Sequence, residues 1–132
     1  MTTSNARSIR HRPVLVPCED RVRTLNGVTF GWIDARLWRA GWLEVLPPEA
    51  IAVYLFLCLV AERRGVSFYR RDRIGKALGL DVTDIARALS RLVHLGLVAF
   101  QPFGPNEVDG YHQVLPVPDG GPPAFAAPLG GV

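Results

Sequence analysis

The sequence predicts a mainly α-helical domain that ends in a small β-hairpin. The apolar run AIAVYLFLCLVA, residues 50–61, has the length and composition of a buried helix. The stretch IGKALGLDVTDIARALSRLVHLGLV, residues 74–98, has the pattern of two short helices joined by a tight turn. Two apolar extended runs, LVAFQPF and GYHQVLPV, flank the turn-rich link GPNEVD, which indicates a hairpin.

The apolar run is predicted to be the central core helix and not a membrane span. A helix of that length rises about 18 Å, whereas the hydrocarbon layer of a bilayer is roughly 30 Å thick. The Pro-Pro-Glu sequence at 47–49 is typical of a helix start, and the Arg-Arg-Gly sequence at 63–65 is typical of a helix end. Because this helix is hydrophobic on every side, we expect it to be enclosed all round.

The tryptophan-containing segment before the apolar run is expected to supply this cover. A short extended piece at 28–33 leads to Asp34, which is placed to cap a helix of about two turns. We expect Trp32, Trp38 and Trp42 to pack on the core helix, the alternative being that they are stacking platforms for bases. A homodimer in which a second copy covers the apolar helix is the other alternative for its enclosure.

The two short helices are predicted at residues 71–78 and 82–95. Asp81 is placed to cap the second helix, and Gly96 to end it. The residues VSFYRR, which precede the first helix, are predicted to form a short strand.

This order of helix, strand, helix, turn, helix and hairpin resembles a winged helix-turn-helix domain over about residues 47–117. In RRDRIGKALGLDVTDIARALSRLVHLGLVAF, the part IGKALGL matches the positioning helix and DVTDIARALSRLVHLGLV the recognition helix. The ending L-x-x-L-G-L-V before a strand is characteristic of the group. The lead-in at 28–65 is loosely similar to that of winged helices in plasmid and phage replication initiators and mobile-element regulators. The resemblance implies binding of double-stranded DNA by a small transcriptional regulator or replication-type accessory protein.

The second helix of the pair has an apolar and a polar side at 100° per residue. The apolar side carries Ile85, Ala88, Leu89, Leu92 and Leu95. The polar side carries Thr83, Arg87, Ser90 and His94, with Arg91 beside them. Arg bonds guanine O6 and N7, while Ser and Thr contact bases or phosphates. With the cations that precede this helix, the predicted DNA-binding residues are Arg70, Arg71, Arg73, Lys76, Thr83, Arg87, Ser90 and Arg91.

Three features favour the alternative of a protein-interaction module that does not bind DNA. Asp84 lies near the start of the recognition helix, where it would meet phosphate. The predicted wing tip offers Glu107 and Asp109 and no basic residue. A polar helix face with two arginines is also ordinary for a solvated surface, and a fold alone does not determine a function.

The distribution of charge agrees with a polyanionic partner. The formal net charge is only +3, but residues 62–91 carry eight basic and four acidic residues, a balance of +4. Residues 92–132 have a balance of −3 from three acidic residues. Lys76 is the only lysine among 15 basic residues. This excess of Arg favours phosphate and guanine contacts, and genomic base composition explains it equally well.

No pattern indicates catalysis, a cofactor, a metal or a small-molecule ligand. The chain has no glycine-rich phosphate loop before a helix and no recognisable nucleophile motif, so we expect it not to be an enzyme. Cys18 and Cys58 lie 40 residues apart and suggest neither a zinc site nor a disulfide, and Cys58 is expected to be a buried thiol. The N-terminus lacks the apolar core of a secretory signal, so a cytoplasmic location is expected, with an Arg- and Ser-containing transit peptide as the alternative.

The chain is accordingly divided into three parts. Residues 1–27 are expected to be a flexible basic arm whose arginines reach an adjacent minor groove or the DNA backbone. Residues 28–117 form the winged helix-turn-helix domain. Residues 118–132, rich in Pro and Gly, are expected to be a disordered tail. A homodimer of this domain would match palindromic half-sites spaced about one DNA turn apart.

Overall fold

The computed structural model of the chain describes residues 12–126. Its helices are α1 (Arg36–Arg39), α2 (Trp42–Val45), α3 (Pro48–Val60), α4 (Arg71–Leu78) and α5 (Val82–His94). Its strands are β1 (Val66–Ser67), β2 (Val98–Pro102) and β3 (Gly110–Val114), and they form one antiparallel sheet in the order β1-β3-β2. This architecture confirms the predicted fold class, mainly α with a hairpin wing, a winged helix-turn-helix.

Helix α3 is the core helix predicted from the apolar run. Pro48 occupies its first position, where the missing N–H costs no hydrogen bond, and the chain turns extended at Ala61. The inner side of α3, which includes Val53 and Leu57, is fully buried in the core that it shares with α4 and α5. Burial of each such side chain stabilises the fold by about 1.5–3 kcal/mol. In the described part of the chain, no helix combines the length and apolar character needed to cross a membrane.

The expectation that α3 is enclosed all round is wrong for its outer side. Of the three tryptophans expected to cover α3, only Trp42 is buried, whereas Trp32 is 77 % and Trp38 is 66 % exposed. The helix of about two turns predicted to end near Gly41 is the four-residue α1, and Gly41, with φ of 88°, separates it from α2. This break allows Trp42 to enter the core while Trp38 remains outside, so α3 keeps a side that no tryptophan covers.

Helices α4 and α5 form the predicted helix pair. Helix α4 spans the predicted residues, and α5 ends one residue earlier than predicted. The Asp81 side chain accepts a hydrogen bond of 2.9 Å from the backbone N–H of Asp84 and so caps α5 as expected. Gly75 faces the turn between the helices, where an added Cβ would lie 2.5 Å from the Leu80 carbonyl oxygen. The lack of a side chain at this position therefore sets how closely α4 approaches the turn.

The predicted hairpin is the wing of the domain. Strand β3 pairs with both β1 and β2, so β2 is an edge strand, with Val98 opposite Val114 and Pro102 opposite Gly110. Proline is tolerated in an edge strand because its missing N–H removes no central ladder hydrogen bond. The strand before α4 has only two residues and is shorter than the predicted VSFYRR strand.

The described segments before and after the domain differ from each other, and the segment after it is more ordered than the sequence predicts. The expectation of a disordered tail at 118–132 does not hold for 118–126, which we call the C-terminal strap. Asp119 pairs with Arg36 of α1 at 3.3 Å, and Ala126 is buried in the core. Prolines restrict the strap before it docks, so ordering it costs less entropy than its composition suggests. Residues 12–27 of the predicted arm are exposed, and residues 1–11 and 127–132 lie outside the described residues.

Gly75 provides a test of the packing of the helix pair. Alanine usually stabilises a helix interior relative to glycine by up to about 1 kcal/mol. We expect Gly75→Ala to do the reverse and to lower the free energy of unfolding by about 1–3 kcal/mol, because the new Cβ meets backbone. Urea unfolding measures this change. Gly104→Ala is the control, since a Cβ there meets only the Glu107 side chain at 4.0 Å. A Gly75→Ala variant as stable as the wild type would contradict the close approach.

Candidate nucleic-acid interface

Helix α5 presents the two sides that its spacing predicts. Its buried residues are Ile85, Ala88, Leu89 and Leu92. Its exposed polar residues are Thr83, Arg87, Ser90, Arg91 and His94. A helix of 13 residues is about 20 Å long. The exposed side of α5 is therefore a rigid polar surface of the size that enters a DNA major groove.

Arg87 on the exposed side of α5 is held by its own helix. Its Nη1 donates a hydrogen bond of 2.9 Å to Oδ1 of Asp84, one turn earlier. Such a surface pair contributes only a few tenths of a kcal/mol, so Arg87 exchanges this partner at small cost. The pair also offsets the charge of Asp84, the residue that the sequence places where it would repel phosphate.

Arg91 and His94 lie at the flank of this surface. Nη2 of Arg91 donates a hydrogen bond of 3.4 Å to the carbonyl oxygen of Val45, the last residue of α2. The His94 ring lies against Phe125 of the C-terminal strap, with ring centroids 5.0 Å apart. Arg91 is thereby drawn toward α2, and His94 marks the end of the polar surface.

Arg70 and Arg71 are engaged by the wing. The backbone N–H of Arg71, at the start of α4, donates a hydrogen bond of 3.0 Å to Oδ1 of Asp109. The guanidinium groups of Arg71 and Arg70 each lie 3.5 Å from an Asp109 carboxylate oxygen, and Arg70 lies 4.0 Å from Glu107. The acidic residues of the wing therefore face α4 and hold the wing against it. The sequence gives no sign of this contact because its partners are 38 residues apart.

Arg73 and Lys76 are the predicted phosphate-binding cations that remain available on α4. Both are exposed, and within residues 12–126 neither has an ion-pair partner. The Arg73 guanidinium lies 5.6 Å from the centre of the Tyr69 ring, and Tyr69 packs edge-on against Phe56 of α3. The geometry thus brings Arg73 and Lys76 onto the helix that precedes α5, with Arg73 held by an aromatic ring.

Aromatic supports are the part of this surface that the sequence analysis missed. Tyr69 lies under Arg73, and Phe103 of the wing lies 5.2 Å from the Arg70 guanidinium. Contacts of this kind contribute about 0.5–1 kcal/mol at exposed sites and restrict where a guanidinium points. Arg70 and Phe103 are far apart in the sequence, so no local spacing indicates their contact. Tyr69 and Arg73 are four residues apart, and this spacing is the signal that could have predicted theirs.

His112 of β3 is buried beneath the wing. Its ring lies 5.0 Å from that of Phe100, and its Nδ1 has no hydrogen-bond partner among the described residues. Burial lowers the pKa of His112 below its ordinary value of 6.5, Asp109 acts in the opposite direction, and Arg71 lowers it. The wing is therefore built around an uncharged imidazole.

The buried imidazole should make the stability depend on pH. Because the unfolded chain binds the His112 proton more readily than the folded chain, the free energy of unfolding should decrease as the pH falls from about 7.5 to about 5. The pKa values of Asp34 and Glu62 are lowered by Arg36 and Arg64, so these carboxylates change the free energy of unfolding only at lower pH. Urea unfolding at a series of pH values measures the slope.

The controls for this pH dependence are two single variants. His112→Gln should remove most of the slope over that interval, whereas His94→Gln, at an exposed histidine, should keep it. An unchanged slope in His112→Gln would assign the dependence to another group.

Comparison with known proteins agrees with this geometry. Residues 43–98 match the model of a family of helix-turn-helix domains. The matched range runs from α2 to the first residue of β2 and so contains the helices that carry the surface. Comparison with curated proteins and with solved structures found no match. Residues 43–98 are therefore similar to helix-turn-helix domains, in agreement with the winged helix-turn-helix fold, and the hairpin that follows is the wing.

Proposed function

We propose that the protein binds double-stranded DNA in a sequence-specific manner, with α5 in the major groove. One observation carries this proposal. The solvent-facing side of α5 presents Thr83, Arg87 and Ser90 on a helix-turn-helix domain, and the Asp84 and Asp109 carboxylates are bound by arginines. The half-buried Glu49 of α3 lines a groove beside Arg87 and Arg91, so two arginines lie next to this carboxylate. The surface offered to DNA is therefore polar and basic, although the net charge of the chain is small.

Arg87 is the residue that we assign to base reading. It lies in the first half of α5, and the N-terminal residues of a recognition helix usually contact base edges. Its guanidinium can exchange the Asp84 carboxylate for O6 and N7 of a guanine, the commonest specific contact of arginine. Thr83 and Ser90 lie on the same side and supply further hydroxyl contacts to bases or phosphates.

The proposed phosphate-binding cations fall into two groups, those without an ion pair in the described residues and those already paired with a carboxylate. Arg73, Lys76 and Arg91 have no ion pair within the described residues, so binding phosphate costs them no existing pair. Arg70 is paired with Asp109 of the wing, so it contacts a phosphate only when the phosphate partly replaces that carboxylate. We assign Arg71 mainly a positioning role, because its side chain is partly buried and paired with Asp109.

The biological role that fits this surface is that of a small transcriptional regulator or a replication-type accessory protein, a binder and not an enzyme. The predicted arm adds Arg12, and before it Arg7 and Arg10, which lie outside the described residues. Such arms contact an adjacent minor groove or the backbone. The alternative, a protein-interaction module, is favoured by the exposed Trp38 and by the open outer side of α3.

Selection of duplexes from a random DNA pool tests the proposal directly. Enrichment of a short motif by the wild-type protein, lost in Arg87→Ala, is the expected result. Retention of duplexes with no enriched motif would limit the function to non-specific binding. No retention at low salt would favour the protein-interaction module.

Arg87 and Arg73 should separate base reading from phosphate binding. Arg87→Ala is expected to cost about 1–3 kcal/mol at the selected site and to relax the preference at one base pair. Arg73→Ala should weaken all sequences alike and reduce the slope of log K against log salt concentration by about one. Fluorescence anisotropy with the selected duplex and a scrambled duplex, at several salt concentrations, measures both effects. The same sequence preference in Arg87→Ala as in the wild type would contradict our assignment.

Asp84→Asn should strengthen binding to duplexes of any sequence by severalfold, since it removes a carboxylate from the DNA-facing end of α5 and frees Arg87. The free energy of unfolding should change by less than about 1 kcal/mol, because the pair lies at the surface. Glu44→Gln, at an exposed carboxylate on α2, is the control with the same charge change. Equal effects of the two substitutions on affinity would show that only the total charge matters and that Asp84 does not face DNA.

A further inference from the structure

Helix α3 has an apolar outer face that residues 12–126 leave open. Leu55 and Leu59, one turn apart on this side, are 44 % and 55 % exposed, and the half-buried Ile51, Ala52 and Phe56 flank them. The chain has no charged residue between Glu49 and Glu62. We call Leu55, Leu59 and their three neighbours the outer face of α3.

The segment before α1 extends this apolar surface. Gly31 lies directly on the end of α3, since a Cβ there would come 3.0 Å from the Leu59 Cα. Its neighbours Phe30 and Trp32 are 58 % and 77 % exposed. An aromatic side chain has about 150–250 Å² of surface, so these two expose on the order of 300 Å². Together with Leu55 and Leu59, the exposed apolar area of this patch summed over two copies is roughly 1,000 Å². This area is the lower limit for the surface buried in a specific protein interface.

The charges at the ends of α3 indicate what covers this face. Glu49 lies in the first turn, and Arg63 follows the last turn, while Glu62 is already bound to Arg64 at 2.9 Å. A second α3 in the antiparallel direction brings the first turn of each helix, with the half-buried Glu49 at the edge nearest α5, beside Arg63 at the end of the other, and no charged residue lies between them. Antiparallel helices also bring opposite dipole ends together. We propose that the outer face of α3 binds a second copy of this chain about a two-fold axis.

This pairing has a consequence for DNA that rests on the proposed function. On the inner side of α3, Ala50 lines a groove together with Ala88 of α5, so α5 lies across α3 from the outer face. Arg87 is exposed and lies at the rim of the same groove, on the α5 side of α3. A dimer joined through the outer faces therefore places its two recognition helices on opposite sides of the α3 pair. It binds two separate duplex segments, in contrast to the expectation of adjacent half-sites in one palindrome.

Light scattering at tens of micromolar tests the assembly without DNA. We expect a dimer for the wild type and monomers for Leu55→Glu and Leu59→Glu, with melting temperatures read by circular dichroism to show that the variants fold. Leu25→Glu, at an exposed leucine outside the face, should remain dimeric. Arg63→Glu should weaken association at least tenfold, because it brings a carboxylate to Glu49 of the other copy. A monomeric wild type overturns the proposal, and undiminished association in Arg63→Glu overturns the antiparallel arrangement.

A capture experiment tests the orientation of the recognition helices. A selected duplex is fixed to beads, and a second, fluorescent copy of the duplex is supplied with the protein. The wild type should retain the fluorescent duplex, whereas Leu59→Glu should bind the fixed duplex and retain none of the other. A dimer that binds DNA without capture overturns the opposed arrangement. A dimer that binds no duplex contradicts the proposed function and leaves the α3 interface intact.

Discussion

The burial of one side of α5 against α3 and α4 is the contact on which the rest of the surface depends. Ile85, Leu89 and Leu92 belong to the core, and the helix has no freedom to rotate once they are buried. A shift of one residue would turn the helix by 100° and bury polar side chains without partners. The same hydrophobic contact that stabilises the fold therefore determines which side chains meet solvent. The small size of Gly75 lets α4 approach closely enough to complete it.

Local pairing of charge matters more here than net charge. The chain is only mildly basic, and its wing and the start of α5 are acidic in sequence. In three dimensions Asp109 serves as a ligand for the start of α4, and Asp84 serves as a ligand for Arg87. The first contact ties two elements together and is partly buried, so it is structural. The second contact lies at the surface and is weak, so a nucleic acid can replace Asp84 as the partner of Arg87.

The elements that the sequence predicts best are those whose signals are local. The apolar run, the α4 and α5 spans and the Asp81 cap follow from periodicity and from capping over three or four residues, and the structure confirms them. The exposed side of α5 follows from the same periodicity. The contact between Arg71 and Asp109 joins residues 38 positions apart and leaves no pattern in the sequence. The open side of α3 was missed for a related reason, because hydrophobicity predicts a need for cover without saying whether the same chain supplies it.

The stacking of Phe125 on His94 brings the C-terminal strap to the end of the recognition helix. Whatever is attached to the strap at Phe125 therefore lies beside the polar surface of α5. A dye placed there would report the arrival of a duplex through its emission, and a bulky group would compete with the duplex for the same space. For anyone who handles this protein, a probe on the strap is a neighbour of the recognition helix.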